Sequence, residues 1–325
     1  MRLIRVSREF PPELNPFVRQ DVVIKAAGVP GEAPHSKWIV AREGILDGIR
    51  HGFITPGMKK VVEATSGNTG NGMGIMCNIL GIPFVAMMSG DAPQEKINAI
   101  RTLGRGTSLQ LLFDSEETTV ACARRLGRQD GWYNPCQYDG IWNPLAHFQY
   151  HAPQLWAAQG DMALLFVPGG TMGTPIGLSM YAREKGHRTK VIPVLCAEGQ
   201  EVPGVRTLSS INEDVRQPWK EFFREEDLQF GSRHAAFYLS FLTWPHVPQM
   251  LGPSFGLAFT GALKFLRKHR NSGTLDQFRG NDGKIQVIIF GPDDYKPYMA
   301  LYMGVLNRKT ELSAKTMPNL MHIID

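Results

Sequence analysis

Twice in this chain an apolar run stops abruptly at a glycine-rich turn that opens a helix: VVEATSGNTGNGMG at Val61 to Gly74, and LLFVPGGTMGTPIGL at Leu164 to Leu178. No other feature constrains the fold as strongly. Val61, Val62 and Ala64 read as the end of a buried strand, and continuous rather than alternating apolarity marks a strand covered on both faces. Gly67 and Gly70 permit positive φ or close approach to a ligand, while Thr65, Ser66, Asn68 and Thr69 offer hydroxyls and an amide. A helix that begins near Thr69 has unpaired N–H groups and a positive dipole end, which suits a carboxylate or a phosphate. At the second junction the backbone N–H groups of Gly170, Thr171, Met172, Gly173 and Thr174, with two hydroxyls, make the candidate phosphate loop. It is neither a Walker A loop, because no G-K-[ST] follows, nor a complete G-x-G-x-x-G fingerprint. Taken singly, each junction is equally explained as a strand-to-helix turn with its N-cap.

Strand and helix patterns alternate around these junctions. DVVIKAAG, PFVAMM, SLQLLF, KVIPVLCAEG and IQVIIF read as strands. Helical spacing runs through WIVAREGILDGIRHG, PQEKINAIRTLG, EETTVACARRLGRQ, HFQYHAPQLWAAQ, where Pro153 starts or kinks the helix, and GPSFGLAFTGALKFLRKHR. HAAFYLSFLTW fits either state, and Gln200 to Phe230 has no clear period and is expected to cover a cleft or a subunit contact. Such alternation implies parallel sheets with right-handed crossovers, and 325 residues exceed one ordinary core. The expected architecture is α/β with two doubly wound units, 1–145 and 146–325, linked through WYNPCQYDGIWNP, the first strand being free to pair with the second sheet.

Composition narrows the function classes. With 43% hydrophobic and 20% charged residues the chain is globular. Its longest apolar run, Ala235 to Trp244, is too short for a bilayer and is interrupted by Tyr238, Ser240 and Thr243. MRLIRVSREFPPEL has no apolar core or small-residue cleavage site, so no secretory signal is read and a cytoplasmic location is the expectation. The net charge of +5 is scattered apart from Arg267, Lys268 and Arg270, which suits anionic small molecules better than nucleic acid. Cys77, Cys122, Cys136 and Cys196 form no C-x-x-C pair and are expected to be reduced structural thiols, with no metal site.

Two further positions carry chemistry. Pro30, Gly31 and Pro34 make an irregular segment that delivers Lys37 to a helix entrance. The dipole there disfavours an ammonium, so a neutral lysine or one consumed in a Schiff base fits the position, although most lysines are simply solvated. IQVIIF ends at Asp293 and Asp294, where an aspartate serves either as an N-cap or as the partner of a ring nitrogen.

Lys37, the run TSGNTG at Thr65 to Gly70, GTMGT at Gly170 to Thr174 and PDD at Pro292 to Asp294 resemble, in order and spacing, the fold type II pyridoxal-phosphate enzymes. EKINAIRTLG, QYDGIWNPLAH and GPSFGLAFTGAL extend the similarity over nearly the whole chain, nearest to cysteine synthase and the cystathionine β-synthase core. The resemblance implies a tryptophan synthase β-like fold with pyridoxal 5′-phosphate in the cleft between the two units. It implies that Lys37 holds the cofactor as a Schiff base and removes the substrate's α-proton. Asn68 would bond the ring hydroxyl, and Gly170, Thr171, Met172, Gly173 and Thr174 would bind the phosphate. Thr65, Ser66, Gly67, Asn68, Thr69 and Gln137 would hold the substrate carboxylate, and Asp294 the pyridine nitrogen. The implied reaction is β-replacement on O-acetylserine, O-phosphoserine or serine through an aminoacrylate, adding a sulfur or amine nucleophile, in a homodimer. Its partners are a small amino-acid substrate and a small nucleophile, with no nucleic acid and no membrane.

Three positions depart from the family pattern. Trp38 stands where Asp is common, Met172 where glycine is usual, and Asp294 where close relatives place Ser. A positive φ at Met172 would be costly, and a carboxylate at 294 would keep the ring nitrogen protonated unless Asp294 caps the last helix instead. Elimination of the serine dehydratase or racemase type, and a silent binding homologue, are the alternatives. The T-G after Asn68 counts against the first, and Lys37 together with Asn68 against the second.

Overall fold

The computed structural model describes residues 4–28, 36–65, 67–92, 94–103, 107–112, 117–247, 251–291, 298–307 and 320–324. Asp294 and Ser66 lie outside them. The strands are β1 (Arg5–Val6), β2 (Val22–Gly28), β3 (Lys60–Ala64), β4 (Phe84–Ser89), β5 (Thr107–Leu112), β6 (Trp132–Tyr133), β7 (Leu164–Pro168), β8 (Lys190–Cys196), β9 (Gln229–Gly231) and β10 (Ile285–Gly291). The α-helices are α1 (Ser36–Arg50), α2 (Asn68–Leu80), α3 (Gln94–Arg101), α4 (Thr119–Leu126), α5 (Trp142–Ala146), α6 (Ala152–Gln159), α7 (Gly173–Glu184), α8 (Leu208–Asp214), α9 (Arg233–Thr243), α10 (Pro253–Asn271), α11 (Met299–Asn307) and α12 (Leu320–Ile323).

These strands form two sheets, one in the order β1-β2-β10-β7-β8-β9 and one in the order β5-β4-β3-β6. All pairings are parallel except β1 with β2. β2 comes from the N-terminal segment yet lies against β10 in the larger sheet, with Ile24 opposite Val287. Both glycine-rich junctions thus follow the carboxyl ends of central parallel strands, the place where α/β sheets bind ligands.

Side-chain alternation explains the layers. In β10, Val287 and Ile289 pack with Phe255, Leu257 and Phe259 of α10, while Ile288 and Phe290 face the opposite side with Ile176 and Leu178 of α7. The second of these clusters also takes in Val62, Ala64, Val85 and Met87 of the smaller sheet, so one apolar layer is shared by both sheets. The outer face of the smaller sheet, Val61, Phe84, Ala86 and Met88, packs on α1, α2 and α3 through Val40, Met73 and Ile100.

HAAFYLSFLTW resolves as helix α9 because Ser232 caps it, its hydroxyl accepting from Ala235 N at 3.3 Å. The expected helix through Pro153 divides into α5, a π-helical turn at His147–His151, and α6 with Pro153 in its first turn. No helix among the described residues is long and apolar enough to cross a membrane.

Candidate active site

A cavity of about 860 Å³ lies where the two junctions face each other, and Lys37, Thr65, Asn68, Thr69, Gln137, Gly170, Thr171, Met172 and Thr174 all line it. Gly67 and Gly173 belong to the same two turns but do not face the cavity.

The first turn is built by Thr65. Its hydroxyl oxygen accepts from Gly67 N at 2.9 Å and Gly70 N at 2.8 Å, which folds the chain back before α2 starts. Gly67 sits at φ 129, and a Cβ there would lie 2.4 Å from Cδ of Lys96, so position 67 is closed to any side chain. Gln137 locks the turn from below. Its amide oxygen accepts from Thr69 Oγ1 at 2.8 Å, and its nitrogen donates to Ala64 O at 2.7 Å. Its backbone is held by Asn143 Nδ2 and Gln217 Nε2, both donating to Gln137 O, and by Glu63, whose carboxyl accepts from Gln137 N. Glu63 is fully buried, and desolvation pushes its pKa up to about 8 against the backbone hydrogen bonds that favour the anion.

At the second turn Met172 adopts φ 63 and caps α7, the costly left-handed conformation the sequence warned of. The backbone of Gly170 is pressed against the 198–205 segment, where a Cβ would stand 2.4 Å from Gly204 O. Thr171 Oγ1 accepts from Asn143 Nδ2 at 2.9 Å. Since Asn143 also donates to Gln137 O, one side chain ties the two turns together. Thr174 Oγ1 lies 3.0 Å from His147 Nε2. His147 and His151 are fully buried in the π-helical turn with ring centroids 4.8 Å apart. Desolvation, reinforced by Lys37, lowers both pKa values, that of His151 to about 3, so both imidazoles are neutral.

Whether this pocket fits pyridoxal phosphate can be judged from its donors. The second turn offers a left-handed residue that fans successive N–H groups, a glycine with no room for Cβ, and the N-terminus of the twelve-residue helix α7. Such a turn suits a phosphate. Lys37 is the second residue of α1 and faces the same cavity. The group fits.

Sequence reasoning assigned no role to Glu63, Asn143, His147, His151 or Lys96. Asn143 and His147 lie within QYDGIWNPLAH and Lys96 within EKINAIRTLG, so the segments signalled a site although the individual roles did not show. The 198–207 stretch does line the cavity, with Gln200, Pro203 and Arg206 among its lining residues. All four cysteines are free and buried, and burial pushes the Cys77 and Cys196 thiols up to about 12. The described residues hold no cluster of metal-ligating side chains.

Two mainly parallel sheets, with a lysine near a helix start and a glycine-rich turn suited to a phosphate around one cavity, fit an α/β enzyme that uses an aldehyde cofactor with an anionic tail. The family model described as "Pyridoxal-phosphate dependent enzyme" matches residues 37–255, and the chain belongs to that family. Cysteine synthase B of Escherichia coli (strain K12) is 30% identical over 168 residues, 50% of this chain and 54% of that protein. Cystathionine beta-synthase of Rattus norvegicus is 33% identical over 155 residues, 46% of this chain and 28% of that protein. The chain spans about half the length, or less, of these curated relatives. The structure of O-ureido-L-serine synthase superposes with a TM-score of 0.72 at 19% identity, covering 96% of this chain and 94% of that one. The O-acetylserine dependent cystathionine beta-synthase from Helicobacter pylori gives 0.70 at 20%, covering 90% and 94%. These two likenesses show the fold, which is fold type II. The protein is a pyridoxal-phosphate-dependent enzyme, and its cofactor is pyridoxal 5′-phosphate.

Proposed function

We propose that the enzyme catalyses β-replacement on an activated L-serine, either O-acetylserine, O-phosphoserine or serine itself, adding a sulfur or amine nucleophile. The observation that carries this reading is the convergence of Lys37, the Thr65–Thr69 turn and the Gly170–Thr174 turn on one cavity. The likeness to cysteine synthases and cystathionine β-synthases supports it. Bound pyridoxal phosphate supplies an electron sink for negative charge at the substrate's α-carbon.

The chain's own residues do the rest. Lys37 holds the cofactor and, once released, takes the α-proton on Nζ; the positive end of α1 favours the neutral amine this requires. The Gly170–Thr174 turn and the α7 dipole hold the phosphate, and Asn68 the ring hydroxyl. Asp294, or its neighbour Asp293, is assigned to the ring nitrogen. The first turn and Gln137 fix the carboxylate, so that the β-substituent leaves and the nucleophile takes its place with the α-carbon held still. Residues 1–145 carry the lysine and the carboxylate turn, and 146–325 the phosphate turn.

Lys96 is the second lysine lining the cavity, which makes the test specific. Borohydride reduction and peptide mapping should place the cofactor on Lys37, and an adduct on Lys96 would overturn the assignment. The loaded enzyme is then offered each donor with sulfide, thiols and amines. A β-substituted alanine detected by mass spectrometry is the expected product, and pyruvate alone would replace this reading with elimination.

A further inference from the structure

The 198–207 segment, against which Gly170 is pressed, and the start of α9 also contribute to the cavity, and Gln200 and Arg233 both line it. Gln200 Oε1 accepts from Arg233 N at 3.1 Å. A backbone N–H can only donate, so the amide oxygen is fixed on that side and the Nε2 hydrogens are directed away from it. The Arg233 guanidinium lies 5.8 Å from the Phe237 ring one turn along the helix, and no carboxylate among the described residues is within ion-pair distance of it.

The other charged groups lining the cavity are otherwise placed. Lys37 is assigned to the cofactor. Arg206 is held by Asp214 and by the Tyr138 hydroxyl, and the Lys96 amine lies over the Tyr298 ring at 4.6 Å. Glu198 accepts from Ser209, while Asp91 and Glu201 are exposed. Arg233 is therefore a partly buried cation with five donors, its backbone bonded to Gln200, lining a reaction cavity with no ion-pair partner among the described residues.

We propose that Arg233 and Gln200 form an anion subsite that receives a carboxylate or phosphate at the far end of a small substrate, carried either by the donor's leaving group or by the acceptor. This rests on reading the cavity as the amino-acid site. A planar guanidinium and an amide donor lining one cavity match either anion, and removing a charge-assisted contact costs about 10- to 100-fold in affinity.

Binding can be separated from turnover with amino acids that lack a β-leaving group. Holoenzyme is titrated with L-glutamate against L-glutamine and L-aspartate against L-asparagine, followed by calorimetry and by cofactor absorbance. The wild-type protein should favour the acidic member of at least one pair by about 10-fold or more. Arg233→Met should bring that ratio close to one, Arg233→Lys should keep part of it, and Gln200→Leu, should Arg233→Met fail to fold, should lower it. The source of the anion then follows from rates. If Arg233→Met lowers the ratio of kcat/KM for O-phosphoserine over O-acetylserine by about 10- to 100-fold, the leaving group carries it. The same fall for mercaptoacetate over 2-mercaptoethanol assigns it to the acceptor. Acidic-to-amide binding ratios unchanged in Arg233→Met would overturn the subsite while leaving β-replacement intact. Pyruvate as the sole product, with the binding ratios still dependent on Arg233, would keep the subsite and remove β-replacement.

Discussion

His147 and Thr174 meet in the protein interior, imidazole Nε2 to hydroxyl oxygen at 3.0 Å, and the proton between them has one favoured owner. His147 is neutral and carries a single N–H. Its Nδ1 has no partner among the described residues, and a buried N–H without an acceptor costs more than a bare lone pair. The proton therefore sits on Nε2 and is donated to Thr174, which frees the threonine's own hydrogen for the phosphate that this turn is proposed to hold.

His147→Phe removes that donor and lets the Thr174 hydroxyl turn inward. Cofactor affinity, read by equilibrium dialysis, is expected to fall about 10-fold, the equivalent of one hydrogen bond. His147→Gln, whose amide nitrogen reaches a similar place, should recover most of it. Because His147 stays neutral, affinity in the wild type should not change between pH 6 and 8 on its account.

Met172 reverses the usual order of core truncations. The side chain is 1% exposed and packs in the shared apolar layer, so any truncation loses burial. Alanine loses the packing and keeps the left-handed backbone, whereas glycine loses the packing and is free of that strain. Met172→Gly is therefore expected to be less destabilising than Met172→Ala by about 1 kcal/mol in urea unfolding of the cofactor-free protein. Alanine would be the milder change if the φ carried no strain.

Glu63 ties stability to pH. Folded, it keeps its proton up to about 8; unfolded, only to its ordinary 4.5. Between those values the folded state binds more protons, so stability falls as pH rises, by up to about 1.4 kcal/mol per pH unit. Below 4.5 both states are protonated and the effect is absent, and above about 8 the penalty is complete. Glu63→Gln, neutral throughout, should flatten this slope in urea midpoints taken from pH 5 to 8.5. An unaltered slope in the variant would mean that Glu63 ionises normally.

The fold was largely legible because its strands are continuous apolar runs and its helices carry clear periods. Both turns were visible through Gly67, Gly70 and Gly170, set among residues such as Thr65, Asn68, Thr69, Thr171 and Thr174 that can hydrogen-bond a ligand. Less visible was what holds the turns together. Asn143 and His147 sit in a polar, aromatic stretch with no period, and their importance comes from partners distant in sequence, Gln137, Thr171 and Thr174. The partner of β2 was left open for a similar reason, since pairing with β10 joins segments more than two hundred residues apart. Asp294 and Ser66 fall outside the described residues, so their assignments rest on sequence.

Hydrogen-bond polarity at the first turn separates two threonines that look alike in sequence. Thr65 Oγ1 accepts from two backbone N–H groups, so its hydrogen is left for a ligand. Thr69 has given its hydrogen to Gln137 Oε1, and the lone pairs that remain would repel a carboxylate. Gln137 spends one amide hydrogen on Ala64 O and has a second for the cavity it lines. The substrate carboxylate should accordingly be received by Thr65, Gln137 and backbone N–H groups, with the Thr69 hydroxyl acting only to aim the Gln137 amide. Gln137→Ala is then expected to raise KM for the amino-acid donor about 10- to 100-fold, and Thr69→Val only about 3- to 10-fold. Cofactor affinity should stay within about 2-fold in both, since neither side chain belongs to the Gly170–Thr174 turn proposed to hold the phosphate. In the double variant the Thr69 change should add almost nothing, because its only task, holding Gln137, is already gone. Additive effects on KM would instead make Thr69 a direct carboxylate ligand through its hydroxyl.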